Sequence, residues 1–221
     1  PLVDGGDRMS RRKLDQTLTT ALPAWERRDD SAIAIDIAAL DACLRGGLPR
    51  GQLSEIVGPS SSGRTAIALQ AIAASTRRDE IAALIDTFDR LDVTSAAAAG
   101  VELERLLWVR GEASGGSDAS LNRALKAVNL VLQAGGFGCV VLDLADVSPT
   151  AVRRIPFTTW LRVQRIIEGS DTACVLIAPQ PLARSAGGLT LSLAARVRWT
   201  GDADRSRHVA GADIDVRIVS P

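Results

Sequence analysis

The run Gly58-Pro59-Ser60-Ser61-Ser62-Gly63-Arg64-Thr65 comes directly after an apolar stretch and opens a helical pattern. Residues of these types in that setting can hold phosphates. Backbone N–H groups and the positive end of the helix cradle the anion, a cation reaches the outer oxygens, and a hydroxyl holds Mg²⁺. Gly58, Ser61, Ser62, Gly63 and Thr65 fit the loop and hydroxyl roles, and the cation is Arg64. A guanidinium is a wider, planar fork than a lysine ammonium, so the exchange is not neutral at a tightly packed phosphate site. Two readings stay open: a site that takes ATP and Mg²⁺, or a Gly-rich strand-to-helix turn kept without a ligand and requiring no cofactor.

Asp143 closes the apolar run Val140-Val141-Leu142 and comes after the loop in chain order, where a carboxylate can organise Mg²⁺ through water. Other chemistry has little material. His208 is the single histidine, and Cys43, Cys139 and Cys174 are scattered without a CxxC pair. No metal site or His-based acid–base catalysis is expected. The three cysteines, in apolar settings, are expected to be buried reduced thiols.

These residues need elements to position them. Leu53–Val57, Ile81–Ile85, Leu106–Val109, Cys139–Leu142 and Cys174–Ala178 read as strands, separated by helical patterns over 63–75, 94–99, 121–133 and 150–168. Strands alternating with helices predict an α/β fold with a mostly parallel sheet covered on both faces. The tail differs. Leu191–Trp199 and Ile214–Val219 alternate with period two, as antiparallel edge strands do.

The chain has 221 residues, 46% of them apolar and 24% charged, which suits a globular domain. Residues 1–30 read as an appended arm with a short helix over 10–22, its Leu14, Leu18 and Leu22 at four-residue spacing, ahead of a core over 31–221. The 26 basic and 26 acidic residues cancel, so the chain lacks the long-range basic field of a strong nucleic-acid binder. Arginines concentrate between 150 and 200, where Arg153, Arg154, Arg162 and Arg165 would meet an anionic partner or form a solvated face. Trp108 and Trp160 are expected in the core, which leaves few rings for stacking on DNA. No membrane-spanning or secretory stretch is evident, and an intracellular location is expected.

The segment Gly46-Gly47-Leu48-Pro49-Arg50-Gly51, leading into Glu55-Ile56-Val57-Gly58-Pro59-Ser60-Ser61-Ser62-Gly63, closely resembles the entry to the RecA phosphate loop. Ile85-Asp86-Thr87, Leu91-Asp92 and Ala99-Gly100-Val101-Glu102-Leu103-Glu104-Arg105-Leu106-Leu107 resemble the RecA segment beyond the next strand. The resemblance runs through most of residues 33–200. It implies the RecA-like fold, with Gln180 after Ile177-Ala178-Pro179 in the place of the residue that senses the terminal phosphate.

The departures matter for activity. Where the hydrolysing members carry a water-positioning glutamate, this chain has Phe88, with Asp89 one residue out of register. A phenyl ring cannot polarise water. Six residues separate Gln180 from Gly187-Gly188, far fewer than the mobile DNA-binding loop of RecA needs, and the preceding loop near Val147–Ile155 is also short. A RecA-like core with these losses resembles the ImuA family of bacterial SOS mutagenesis. That resemblance implies a cytoplasmic, nucleoid-associated DNA-repair accessory protein. Its partners would be an ImuB-type polymerase-like protein, RecA and an error-prone polymerase, with weak DNA contact and self-association also open. The expected contact surfaces are Leu14 and Leu18 in the arm, the arginines of 153–165, and the C-terminal strands. The alternative is a slow ATPase or an ATP-switched DNA-binding relative of RecA.

Overall fold

The computed structural model describes residues 31–112, 118–183, 188–201 and 208–219. The chain divides into two units, 1–30 and 31–221, and the first lies outside the described residues. So do the predicted arm helix, Leu14 and Leu18.

β1 (Ala32–Ile33), α1 (Ala38–Cys43) and β2 (Leu48–Pro49) precede the sheet proper, with β1 and β2 forming a small antiparallel ladder. There follow β3 (Leu53–Val57), α2 (Arg64–Thr76), β4 (Ile81–Asp86), α3 (Val93–Ala98), a 3₁₀ turn and β5 (Leu106–Arg110). The second half contains α4 (Asp118–Ala134), β6 (Phe137–Asp143), α5 (Pro149–Arg153), α6 (Phe157–Ile167), β7 (Ala173–Ala178), β8 (Thr190–Thr200) and β9 (His208–Val219). The seven strands β3–β9 form one sheet in the order β5-β4-β6-β7-β3-β8-β9. All neighbours pair in parallel except β8 with β9.

The central strands are continuous apolar runs because both faces are covered, as parallel sheets require. Ile56, Val141, Val175 and Ile177 point to the side packed by α1 and α2. Val57, Val140, Leu142 and Leu176 face α4, α5 and α6. Glu55 is a buried carboxylate in this apolar setting, about 1% exposed. It is tolerated because the backbone N–H groups of Leu182 and Ala183 donate to it at 2.6 and 2.9 Å.

Four expectations are corrected. The helical pattern over 150–168 is two helices: α5 ends at Arg153, and Pro156, extended at ψ 139°, restarts the chain as the cap of α6. The pyrrolidine ring lacks the N–H that a continuous helix needs there. Of the two tail strands only β9 is an edge; β8 lies inside the sheet, parallel to β3 through Glu55↔Thr190 to Val57↔Ser192. Cys43 is exposed at the end of α1, whereas Cys139 and Cys174 are buried, their thiols pushed up to about 12 and further by loss of solvation. Trp160 is core, while Trp108 is only partly buried.

Gly47 shows how tightly the entry to the loop is packed. It sits at φ +129°, and a Cβ there would lie 1.9 Å from the carbonyl oxygen of Ile33, whereas one on Gly46, at φ +112°, would meet nothing within 4 Å. Gly47→Ala should therefore destabilise by at least about 2 kcal/mol, lowering Tm by roughly 4–8 °C. Gly46→Ala carries the backbone strain alone and should cost less. Equal melting of the two variants would contradict this packing.

Candidate phosphate site

Parallel pairing brings the C-terminal ends of β3, β4 and β6 to one edge of the sheet. The loop after β3 turns there through Ser61 at φ +61° and Gly63 at φ +92°, both left-handed. Gly63 caps α2, whose first residue is Arg64. Gly58 holds the loop from behind: a Cβ would lie 2.5 Å from the Leu193 carbonyl oxygen of β8 and 2.7 Å from the Ser62 hydroxyl. On Gly63 a Cβ would lie 2.6 Å from the Ile214 side chain of β9. Backbone contact demands glycine at the first place, and the left-handed turn favours it at the second.

In front of the loop lies a cavity of about 390 Å³, lined by Ser60 through Thr65, by Asp86 and Asp143 at the ends of β4 and β6, and by Arg90 and Asp146 in the loops that follow them. Ser61, Ser62, Gly63, Arg64, Thr65 and Asp143, expected from the sequence to share a site, are brought together by the fold. Asp86, Arg90 and Asp146 join them without having been expected. Asp86 ends β4 directly opposite Asp143 in the sheet register, so an acid at the end of a neighbouring parallel strand was the available signal. Asp86 accepts from the backbone N–H groups of Arg90 and Leu91 at 2.9 and 2.8 Å and from Trp108 Nε1 at 3.1 Å. Arg90 and Asp146 pair at 3.4 Å.

Two polar atoms bear on the chemistry. Ser62 Oγ and Arg64 Nη1 are buried without a hydrogen-bond partner, an expensive condition unless an acceptor arrives. Loss of solvation lowers the Arg64 pKa, opposed by the nearby charges of Asp143 and Asp146. Asp143 is held by the Ala145 N–H at 2.8 Å, yet burial, with Asp86 and Asp146 nearby, pushes its carboxyl up to about 6. A loop with an unsatisfied cation and hydroxyl on one side and a strand-end carboxylate on the other can accommodate a phosphate chain together with a divalent cation.

Phe88 and Asp89, at the place where the resemblance to RecA led us to expect a water-positioning acid, have other partners. Phe88 is buried among the apolar residues on the α4 side of the sheet. Asp89, at φ +57°, is bound in a two-toothed ion pair by Arg110, both contacts 2.8 Å, which holds its carboxyl below the usual range. Arg110 in turn stacks on the Trp108 ring at 4.4 Å. Gln180 does not line the loop cavity; it borders a separate cleft beside α5 and α6. Arg153, Arg154, Arg162 and Arg165 are all exposed on or beside those helices, with Arg154 paired to Asp118 at 3.2 Å. Among the described residues no cluster of three metal-ligating side chains occurs, and no helix is long and apolar enough to cross a membrane.

Fold and loop together define a phosphate-loop α/β protein. More particularly, residues 21–152 match the RecA N-terminal domain, and the chain belongs to that family. It is 41% identical to protein RecA of Nostoc punctiforme over 104 residues, 47% of this chain and 27% of that protein. It is 54% identical to protein RecA of Arthrospira platensis over 68 residues, 31% of this chain and 19% of that one. The matched stretches thus span less than a third of these relatives' length. A crystal structure of the RadB recombinase shares the fold, with a TM-score of 0.53 and 18% identity over 75% of this chain and 88% of that one.

The raised Asp143 carboxyl has a measurable sign. A half-buried acid whose folded pKa exceeds its unfolded value leaves the fold most stable when protonated, and that advantage is lost as pH rises through about 6. Asp143→Asn keeps an acceptor for Ala145 and removes the charge. The Tm advantage of Asp143→Asn over the parent chain should therefore grow between about pH 4 and 6 and level off above. A difference constant across that window would contradict the burial.

Proposed function

We propose that this chain is a RecA-like accessory protein of DNA repair, acting in SOS translesion synthesis through contacts with an ImuB-type polymerase-like protein, RecA and an error-prone polymerase, in the bacterial cytoplasm at the nucleoid. The observation that carries the proposal is the fate of the two residues nearest the hydrolytic position: Phe88 is in the core, and Asp89 is tied to Arg110. Neither is free to activate water at the loop cavity. Membership in the RecA N-terminal domain family supports a place in DNA recombination or repair. The short connection after Gln180, pinned to Glu55 through Leu182 and Ala183, supports a scaffold rather than a strand-exchanging recombinase. The resemblance to the ImuA family supplies the named partners.

A second reading is favoured by the unpartnered Ser62 Oγ and Arg64 Nη1. In it the loop binds MgATP as a switch without rapid hydrolysis. Gly63, Ser62 and Arg64 would hold the phosphates, with Thr65 and Asp143 on the metal side.

Both readings are open to direct measurement. The full chain should co-elute with an ImuB-type protein in the absence of nucleotide, and Phe88→Ala should not abolish the complex unless it unfolds the domain. Failure to bind ImuB-type protein, RecA or polymerase, combined with ATP-driven strand exchange, would overturn the accessory role. For the switch, MgATP at ten times its Kd should stabilise by about 1.4 kcal/mol, raising Tm by roughly 3–6 °C. Loss of the rise in Arg64→Ala supports it; no rise at millimolar MgATP overturns it.

A further inference from the structure

The surface of α5 and α6 has an arrangement that the phosphate cavity does not use. From Pro149 to Ile167 there are four arginines and no acidic residue. On α6, Phe157, Leu161 and Arg165 recur at four-residue spacing and so form one ridge. Phe157 is 49% and Leu161 43% exposed, unusual for large apolar side chains lying together on a helix. Arg162 and Arg165 flank the C-terminal end of the ridge, and Arg153 and Arg154 its N-terminal end. Among the described residues, Arg154 alone of the four has an ion pair.

Phe157 is also one wall of a cleft of about 420 Å³ whose other sides include Val152, Arg153, Ile155, Trp160 and Leu182. Trp160 is only 3% exposed and forms a rigid apolar base. Surface and cleft together offer an apolar centre with a cationic rim.

We infer that this face docks an acidic amphipathic segment of a partner protein, with an apolar side chain entering the cleft against Phe157 and carboxylates meeting Arg153, Arg162 and Arg165. Charge complementarity selects the partner, and the apolar ridge selects its class. A nucleic acid would use the arginines but has no use for Leu161. Phe157 is the one exposed ring on these two helices, and the arginines are interrupted by apolar side chains rather than set along a continuous phosphate track. The zero net charge of the chain adds no long-range attraction for DNA. This inference rests on the accessory reading and gives one of its contact surfaces a chemistry.

The test is fluorescence anisotropy on the full chain with three labelled probes. The first is a helical peptide carrying Leu and Phe one turn apart and Glu at both ends. The second has the same composition with Leu and Phe on opposite faces, and the third is an oligothymidylate. The first should bind more tightly than the others. Phe157→Ser and Leu161→Ser should each weaken it about tenfold while lowering Tm by no more than about 4 °C, since both side chains are only half-buried. Arg162→Gln with Arg165→Gln should weaken it several-fold and reduce its salt dependence. Equal binding of the first two peptides, binding of the oligothymidylate alone, or indifference to Phe157→Ser would each overturn the docking surface. A partner complex that survives Phe157→Ser would also overturn this surface while sparing the accessory reading, whereas absence of any partner complex strikes the accessory reading itself.

Discussion

Parallel pairing of the central strands is the constraint on which the rest of the molecule depends. Because β3, β4, β6 and β7 all run the same way, their C-terminal ends meet at one edge of the sheet. The phosphate loop, Asp86 and Asp143 are therefore neighbours although the chain separates them widely. The same pairing buries both faces, which is why these strands are runs of Val, Ile, Leu and Ala. A carboxylate inside such a strand needs donors brought to it, as Leu182 and Ala183 are brought to Glu55.

That edge holds two unlike halves. The half built by β3 and α2 keeps the loop in shape: left-handed turns at Ser61 and Gly63, a close backbone approach at Gly58 that leaves no room for a side chain, and an unsatisfied cation at its mouth. The half built after β4 is engaged in packing and ion pairing. Phe88 contributes to the core, and Asp89, Arg110 and Trp108 form a chain of contacts that ends on Asp86. The shape of the loop and the packing of Phe88 are thus set by different stretches of the chain.

Much of this was legible in the sequence, for reasons that can be named. Short apolar runs bounded by Gly and polar residues located β3 to β7, and the spacing of Gly58, Gly63 and Thr65 located the loop. Contacts distant in sequence were not legible. Glu55 looks like an ordinary strand residue until its partners, 127 and 128 positions later, are seen. Asp86 becomes a site residue only through its register with Asp143. Helical periodicity continued across Pro156 and hid the break between α5 and α6, and the two-residue strands β1 and β2 are too short to carry a periodic signal. Gln180 comes after β7 as expected, but the chain beyond it, held by Glu55, turns towards α5 and α6 instead of the loop cavity.

The most direct test is phosphate release from MgATP by the purified full chain, with and without single-stranded DNA and alongside the Asp143→Asn variant. Release is predicted at the background rate, unchanged by DNA and equal in the two proteins, because Phe88 is packed in the core and Asp89 beside it is paired with Arg110. DNA-stimulated release that Asp143→Asn abolishes would contradict this and make the chain a DNA-dependent ATPase.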